Sequence, residues 1–397
     1  MREYLLVALV AAAVTFTFSI AARQLALRIG AVAKVRDRDI HEHETAYLGG
    51  LAMLAGLTAG FWLAFHLPFL GGHQMVTYDA QAIGYAAIVI CLVGVIDDII
   101  ELPFLTKIAG QVLAAGIAVI GGVRIYWISL PGSSVVALDL PSSILFTVVV
   151  IFVVVNAINL IDGLDGLAVG VVGIGATAMF LYTYHLAYEN HIVLATTASL
   201  VSVTIAGICL GFLPHNFHPA RMFMGDSGSM LLGLLVSTSA ISFTGQLDIS
   251  LITTEAKALP AWLPILLPVA VVFIPLLDLI LAYARRTLAG RWWFVADKQH
   301  LHHRLLKRGH SHIGAVALMY AWTAVLSFGV MFVGLDPRIE KILVFTAFTA
   351  AAAFFTWKPI KHPLGQIKDL NEVAEADNSG QDSAVLADRN TASQQAK

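Results

Sequence analysis

What most limits this chain is a pattern that recurs along it: apolar runs about 20 residues long, close to the 30 Å that a helix needs to cross hydrocarbon. "SSILFTVVVIFVVV", residues 142–155, is the plainest of them. In lipid every backbone N–H and C=O must find its partner within the segment, so such runs are helices. They are continuously apolar and do not alternate, which argues against a β-barrel. Spans are expected to begin near residues 4, 48, 80, 104, 142, 167, 191, 227, 261, 312 and 340, eleven in all. The expected fold is therefore an all-α, polytopic membrane bundle with one membrane domain over 1–360. Composition agrees: 58% of residues are hydrophobic and 13% charged, too apolar for a soluble domain to cover its surface. The first run is longer than a signal-peptide core and is expected to stay as an anchor. Residues 366–397 are polar and nearly free of aromatics, the composition of a disordered tail.

Basic residues set the expected orientation. With the N-terminus outside, only Arg2, Arg124, Lys257, Arg338 and Lys341 face outward, five of the 24 Lys and Arg. The cluster from Arg285 to Arg308 then lies in the cytoplasm. The net charge of −2 gives no reason to expect nucleic acid. Cys91 and Cys209 sit in apolar runs and read as buried thiols. The stretch "RIYWISLPGSSVVALDLP" has the turn residues and β-formers of a short hairpin.

Polar side chains interrupt this pattern at four places, all on the expected cytoplasmic side. "GVIDDIIELPFLTK" brings Asp97, Asp98 and Glu101, adjacent acids that repel unless a cation or donors lie between them, with Lys107 following. An ordinary acidic turn and a snorkelling lysine are the plain alternatives. "NAINLIDGLDGLA" puts Asn156, Asn159 and Asp162 on one helical face and adds Asp165. Its glycines allow a tight turn and close approach of a ligand. Capping by Asp165 explains one aspartate but not four polar side chains. "PHNFHPARMFMGDSGSM" holds Asn216, Phe223 and Asp226, the last where a helix should start. That is a cap, or a phosphate or metal site. Phe223 could stack on a base or anchor at the interface. "DKQHLHHRLLKRGHSH" interleaves His300, His302 and His303 with Arg304, Lys307 and Arg308, cations better suited to diphosphate oxygens than to zinc. A smaller cluster holds Arg38 and His41. Asp278 is a lone acid within a span, a functional candidate by default, with Arg285 or Arg286 as the plain partner.

Carboxylates able to hold Mg²⁺, amides able to read a base and cations able to hold phosphate thus share one membrane face. A nucleotide-diphosphate substrate whose partner lives in the bilayer fits that combination. The motifs "GGL", "DDIIE", "NAINLIDGLDGLA", "MFMGDSGS" and "DKQHLHHRLL" resemble those of the polyprenyl-phosphate N-acetylhexosamine-1-phosphate transferases over about residues 1–355. The H-x-H-H loop looks like the GlcNAc branch, whereas the peptidoglycan phospho-MurNAc-pentapeptide translocase has three consecutive histidines. The resemblance implies a helical bundle with a cytoplasmic cleft in a bacterial plasma membrane. It implies Mg²⁺, or Mn²⁺ in its place, held by Asp226, with Asp97 and Asp98 as further ligands or as handlers of the lipid phosphate. It implies catalytic roles for Asp97, Asp98, Asp162, Lys107, His302 and His303. Substrate contacts are implied for Arg38, His41, Asn156, Asn159, Asp165, Asn216, Phe223, His300 and Arg304. Glu101 stands where many relatives have Asp, and Val35 where a proline is common.

The implied reaction is UDP-GlcNAc plus polyprenyl phosphate giving polyprenyl-diphospho-GlcNAc and UMP, a priming step for a cell-envelope glycan. The implied partners are those two substrates, the bilayer and, as a homodimer, a second copy of the chain. The same chemistry on UDP-MurNAc-pentapeptide is the near alternative. A secondary transporter is the distant one, disfavoured because the acids gather at one membrane edge rather than at midplane breaks.

Overall fold

The computed structural model describes residues 1–33, 45–128, 136–189, 194–244, 258–288, 300–336 and 338–357. Arg38, His41 and the expected tail 366–397 lie outside the described residues. The chain runs α1 (Arg2–Ile29), β1 (Val32–Ala33), β2 (Thr45–Ala46), α2 (Gly49–His66), α3 (Gln74–Ile100) and α4 (Phe104–Ile120). It continues through β3 (Trp127–Ile128), β4 (Val136–Ala137), α5 (Leu140–Ile161), α6 (Leu167–Glu189), α7 (Leu194–Asn216) and α8 (Gly225–Thr244). It closes with α9 (Ala258–Val271), α10 (Phe273–Leu288), α11 (Leu301–Lys307), α12 (His312–Leu335) and α13 (Ile339–Trp357).

Among the described residues nine helices are long and apolar enough to cross a membrane, ten if the bent pair α9–α10 counts as one span. The expectation of eleven is corrected by α4. It has 17 residues, about 26 Å of helix against a 30 Å core. The α9–α10 pair bends by 68°. Pro275 explains the break, because it has no N–H to offer the carbonyl of Val271 four residues back. β3 and β4 form the expected hairpin, antiparallel with Trp127 opposite Ala137. A second hairpin, β1–β2, was not expected; Ala46 also bridges to Met222 of the α7–α8 loop. Cys91 and Cys209 are free and buried, as expected.

The helix α8 is the hub: 89% of its most apolar window is buried, against 6% for the peripheral α13. It packs against α2, α3, α5 and α7. Several of its hydroxyls are satisfied locally, with Ser237 Oγ donating to Gly233 O at 2.8 Å, or across helices, with Ser202 Oγ 2.7 Å from Ser239 Oγ, whereas Ser242 Oγ is buried without a hydrogen-bond partner among the described residues. Such polar contacts hold helices together where no water competes. Chain reversal at each end of the bundle brings the C-terminal ends of α3, α5 and α7 beside the N-terminal ends of α4, α6 and α8. The polar clusters sit at those ends, and so they meet.

Candidate active site

The site is built on the first turn of α8. Helix N-termini leave backbone N–H groups without internal partners, and here a carboxylate from another helix takes them. Asp98 Oδ1 accepts from Asp226 N at 2.7 Å, and its Oδ2 accepts from Ser227 N at 3.2 Å and Ser227 Oγ at 2.7 Å. Gly225 makes this approach feasible: its φ is +67°, and a Cβ there would meet Asp98 Oδ2 at 2.5 Å. Asp98 was expected to handle phosphate or metal. Here its oxygens fasten α3 to the start of α8.

The adjacent Asp97 faces the other way. Its Oδ1 accepts from Leu102 N at 2.7 Å, and its Oδ2 lies 2.9 Å from Lys107 Nζ. Lys107 also pairs with Asp226 Oδ2. The remaining oxygen of Asp226, Oδ1, accepts from Asn159 Nδ2 at 2.6 Å, and Asn159 also donates to Ser229 Oγ at 2.8 Å. Asp226 is thus aimed from three sides: backbone by Asp98, one oxygen by Lys107, the other by Asn159.

A cavity of about 550 Å³ opens beside this array. Asp97, Asp98, Glu101, Asp162, Asp165 and Asp226 all line it, with Asn159, Asn216 and Phe223. Asp162 follows the last residue of α5 and, among the described residues, its carboxylate accepts no hydrogen bond. Withdrawal from water, then the nearby charges of Asp226, Asp98 and Asp165, push its pKa well above the usual carboxylate range.

Other expected residues fall less simply. Asn156 is one turn too deep to reach the cavity. It donates to Gln111 Oε1 and to Phe152 O, both at 2.8 Å, and so braces α5 against α4. Asn216 lines the cavity, yet it accepts from Gly166 N at 3.1 Å and donates to Met222 O at 3.0 Å, stapling the α6 entry to the α7–α8 loop. Asp165 does not cap α6 but reaches that same loop, accepting from Ala220 N at 3.1 Å and lying 2.8 Å from His218 Nδ1. Phe223 stands beside Tyr47, ring centroids 5.9 Å apart. Tyr47 lines the cavity too and was not anticipated; its place directly before the "LGG" start of α2 was the available signal.

The histidine rings lie together, His302 and His303 centroids 4.4 Å apart and His300 and His302 5.7 Å apart. They stand behind the cavity wall rather than in it. His302 is 1% exposed and packs against Gly163, where a Cβ would meet its Nε2 at 2.5 Å. Burial, with help from the neighbouring His303, lowers the His302 pKa to about 3, so the ring is neutral at physiological pH. Asp278 pairs with neither Arg285 nor Arg286 in the way expected of it. It accepts from Leu301 N at 2.9 Å and lies 3.2 Å from His300 Nδ1, so it holds the start of α11. Arg304 is exposed and does not line the cavity.

Fold and site together define a polytopic membrane protein with an acid-lined cleft at one end of its helices, built around a single lysine that joins two of the acids. Comparisons with known proteins make the class specific. The profile of glycosyl transferase family 4 matches residues 80–244. Decaprenyl-phosphate N-acetylglucosaminephosphotransferase of Mycobacterium tuberculosis is 45% identical over 333 residues, covering 83% of this chain and 82% of the relative. The probable undecaprenyl-phosphate N-acetylglucosaminyl 1-phosphate transferase of Bacillus subtilis is 31% identical, covering 75% and 76%. The phospho-N-acetylmuramoyl-pentapeptide-transferase of Mycobacterium bovis is 30% identical over 61% of this chain. The chain belongs to glycosyl transferase family 4.

Proposed function

We propose that this protein transfers GlcNAc-1-phosphate from UDP-GlcNAc to a polyprenyl phosphate, giving polyprenyl-diphospho-GlcNAc and UMP. Relatives alike over three quarters or more of the chain carry that chemistry in their names, and the H-x-H-H loop points to the same branch. Decaprenyl phosphate is the lipid named for the 45% identical relative. We place the cleft on the cytoplasmic side, with the N-terminus outside. The Lys and Arg bias supports this, and the site lies at the end of α1 opposite its N-terminus.

The observation that carries the reading is the electrostatics of the cleft. Six carboxylate side chains line it, and the substrates are themselves anions. A multivalent cation would let a diphosphate and a phosphate enter together. The donor set fits a hard ion: the carboxylates of Asp97, Asp162 and Asp226 line the same cavity, and Mg²⁺ favours a few carboxylates together with substrate phosphates. Asp226 and Asp162 would hold it, Asp97 standing beside them. Bound there, Mg²⁺ would offset charge on the diphosphate and the leaving UMP.

The chain's own residues do the rest. A phosphate monoester has its second pKa at about 6 and is mostly dianionic near neutral pH. The lipid phosphate oxygen therefore attacks the sugar-linked phosphorus directly. One P–O bond forms there, and the bond to the UMP phosphate oxygen breaks. Lys107 spreads positive charge between Asp97 and Asp226, two carboxylates that line the cleft. Asp162, whose carboxylate accepts no hydrogen bond among the described residues and has a raised proton affinity, is suited to take a residual proton from the lipid phosphate or to bind the ion. Asp98 positions rather than reacts. Phe223 and Tyr47 offer the apolar wall on which a base can lie.

The deciding test incubates purified protein with a panel of UDP-sugars, polyprenyl phosphate and Mg²⁺ and measures UMP. UMP with UDP-GlcNAc alone is expected. UMP only with UDP-MurNAc-pentapeptide would move the protein to the other branch, and none from any donor would end the enzymatic reading.

A further inference from the structure

Asp165, His218 and His312 come from three separate stretches: the turn between α5 and α6, the α7–α8 loop, and the first residue of α12. One ligand atom from each lies within 4.8 Å of the other two. The two imidazole rings stack with centroids 4.2 Å apart and planes 21° from parallel. His218 Nδ1 is 2.8 Å from Asp165 Oδ2. Asp165 is 4% exposed, and Ala220 N–H holds the same oxygen at 3.1 Å. The reaction derived above uses neither histidine.

We propose that this triad binds one transition-metal ion of the zinc type, distinct from the Mg²⁺ of the cleft. Two imidazole nitrogens and one carboxylate oxygen are a donor set for zinc and its neighbours, whereas magnesium takes oxygens. With bonds of about 2.0–2.1 Å, ligand atoms of a tetrahedral site stand roughly 3.3 Å apart. Binding would draw the three ligand atoms inward from their 4.8 Å envelope, the two histidine rings turning out of their stack to aim their nitrogens at the ion. The Ala220 amide supplies the outer contact that orients a ligating carboxylate. A fourth position stays open to water.

The consequence is mechanical. Asp165 lines the cleft, and the ion would tie its turn to the α7–α8 loop, which carries Phe223, and to α12. Loading would stiffen that wall of the cleft.

The test uses the full-length protein in detergent, free of any affinity tag that binds metal. It is stripped with chelator, dialysed against micromolar ZnCl₂ at neutral pH, exchanged into metal-free buffer and assayed for zinc by mass spectrometry. Wild type should keep one equivalent per chain and melt at a higher temperature than the stripped form. The His218→Gln/His312→Gln double variant should lose both the equivalent and the shift. The His300→Gln/His302→Gln/His303→Gln variant should keep them. An equivalent that survives in the double variant, or is lost in the triple, overturns the proposal; so does wild type with no retained zinc. Should the double variant fail to fold, X-ray absorption of zinc-loaded wild type decides. Two imidazoles with oxygen ligands support the site, and a thiolate or three imidazoles refute it.

Discussion

Replacing Asp98 with alanine separates a structural carboxylate from a chemical one. In the wild type, Asp98 accepts three hydrogen bonds at the start of α8, from Asp226 N, Ser227 N and Ser227 Oγ. Losing a helix cap costs about 1 kcal/mol, and each donor left unsatisfied away from water costs about 1–3 kcal/mol. Water can reach the cavity side, so not all three donors stay orphaned, and a loss of about 2–4 kcal/mol is expected. Turnover should fall with it, because the backbone that aims Asp226 is released. Asp162→Asn is the contrast. Its carboxylate is crowded by three others, so the amide should leave metal-free stability equal or higher while turnover collapses. Thermal unfolding in detergent, read beside UMP release, distinguishes the two. If Asp98→Ala melts like wild type yet is inactive, Asp98 acts chemically and the capping argument is wrong.

Four further outcomes are expected. Asp226→Asn should cost at least a hundredfold in turnover with the fold intact, since a neutral amide is a poor Mg²⁺ ligand; a wild-type rate at limiting Mg²⁺ would reduce Asp226 to a cap. Gly163→Ala should destabilise by about 1–3 kcal/mol, because the new methyl meets the buried His302 ring; an unchanged melting temperature would contradict that packing. His302 titrates near 3 when folded and about 6.5 when unfolded, so the unfolded chain takes up the extra proton and stability falls as pH drops below 6.5. The loss is about 2 kcal/mol by pH 5; His302→Gln should flatten that slope, and an unaltered pH–stability curve would count against a buried neutral ring. Finally, lipid-free enzyme given labelled UMP and UDP-GlcNAc should show no exchange of label, whereas robust exchange would demonstrate a covalent phospho-sugar enzyme.

The sequence by itself determined that this chain is helical, that it crosses a membrane many times, and where its polar clusters lie. Those facts are local. An apolar run of about 20 residues leaves the backbone no choice but helix. A polar residue at the end of such a run, like Asp97, Asp162 or Asp226, is expensive enough there to advertise itself. What each polar residue does was decided only by the tertiary structure. Asp98 and Asp226 are 128 residues apart, and nothing near either one in the chain says that the first caps the helix of the second. The same holds for Asn156, turned to Gln111 rather than to the cavity, and for Asp278, turned to His300 rather than to Arg285. Tyr47 becomes a cleft residue only because α2 packs beside the α7–α8 loop. Side-chain partnership is settled by which helix ends meet, and the hydrophobic pattern that builds the helices carries no record of that meeting.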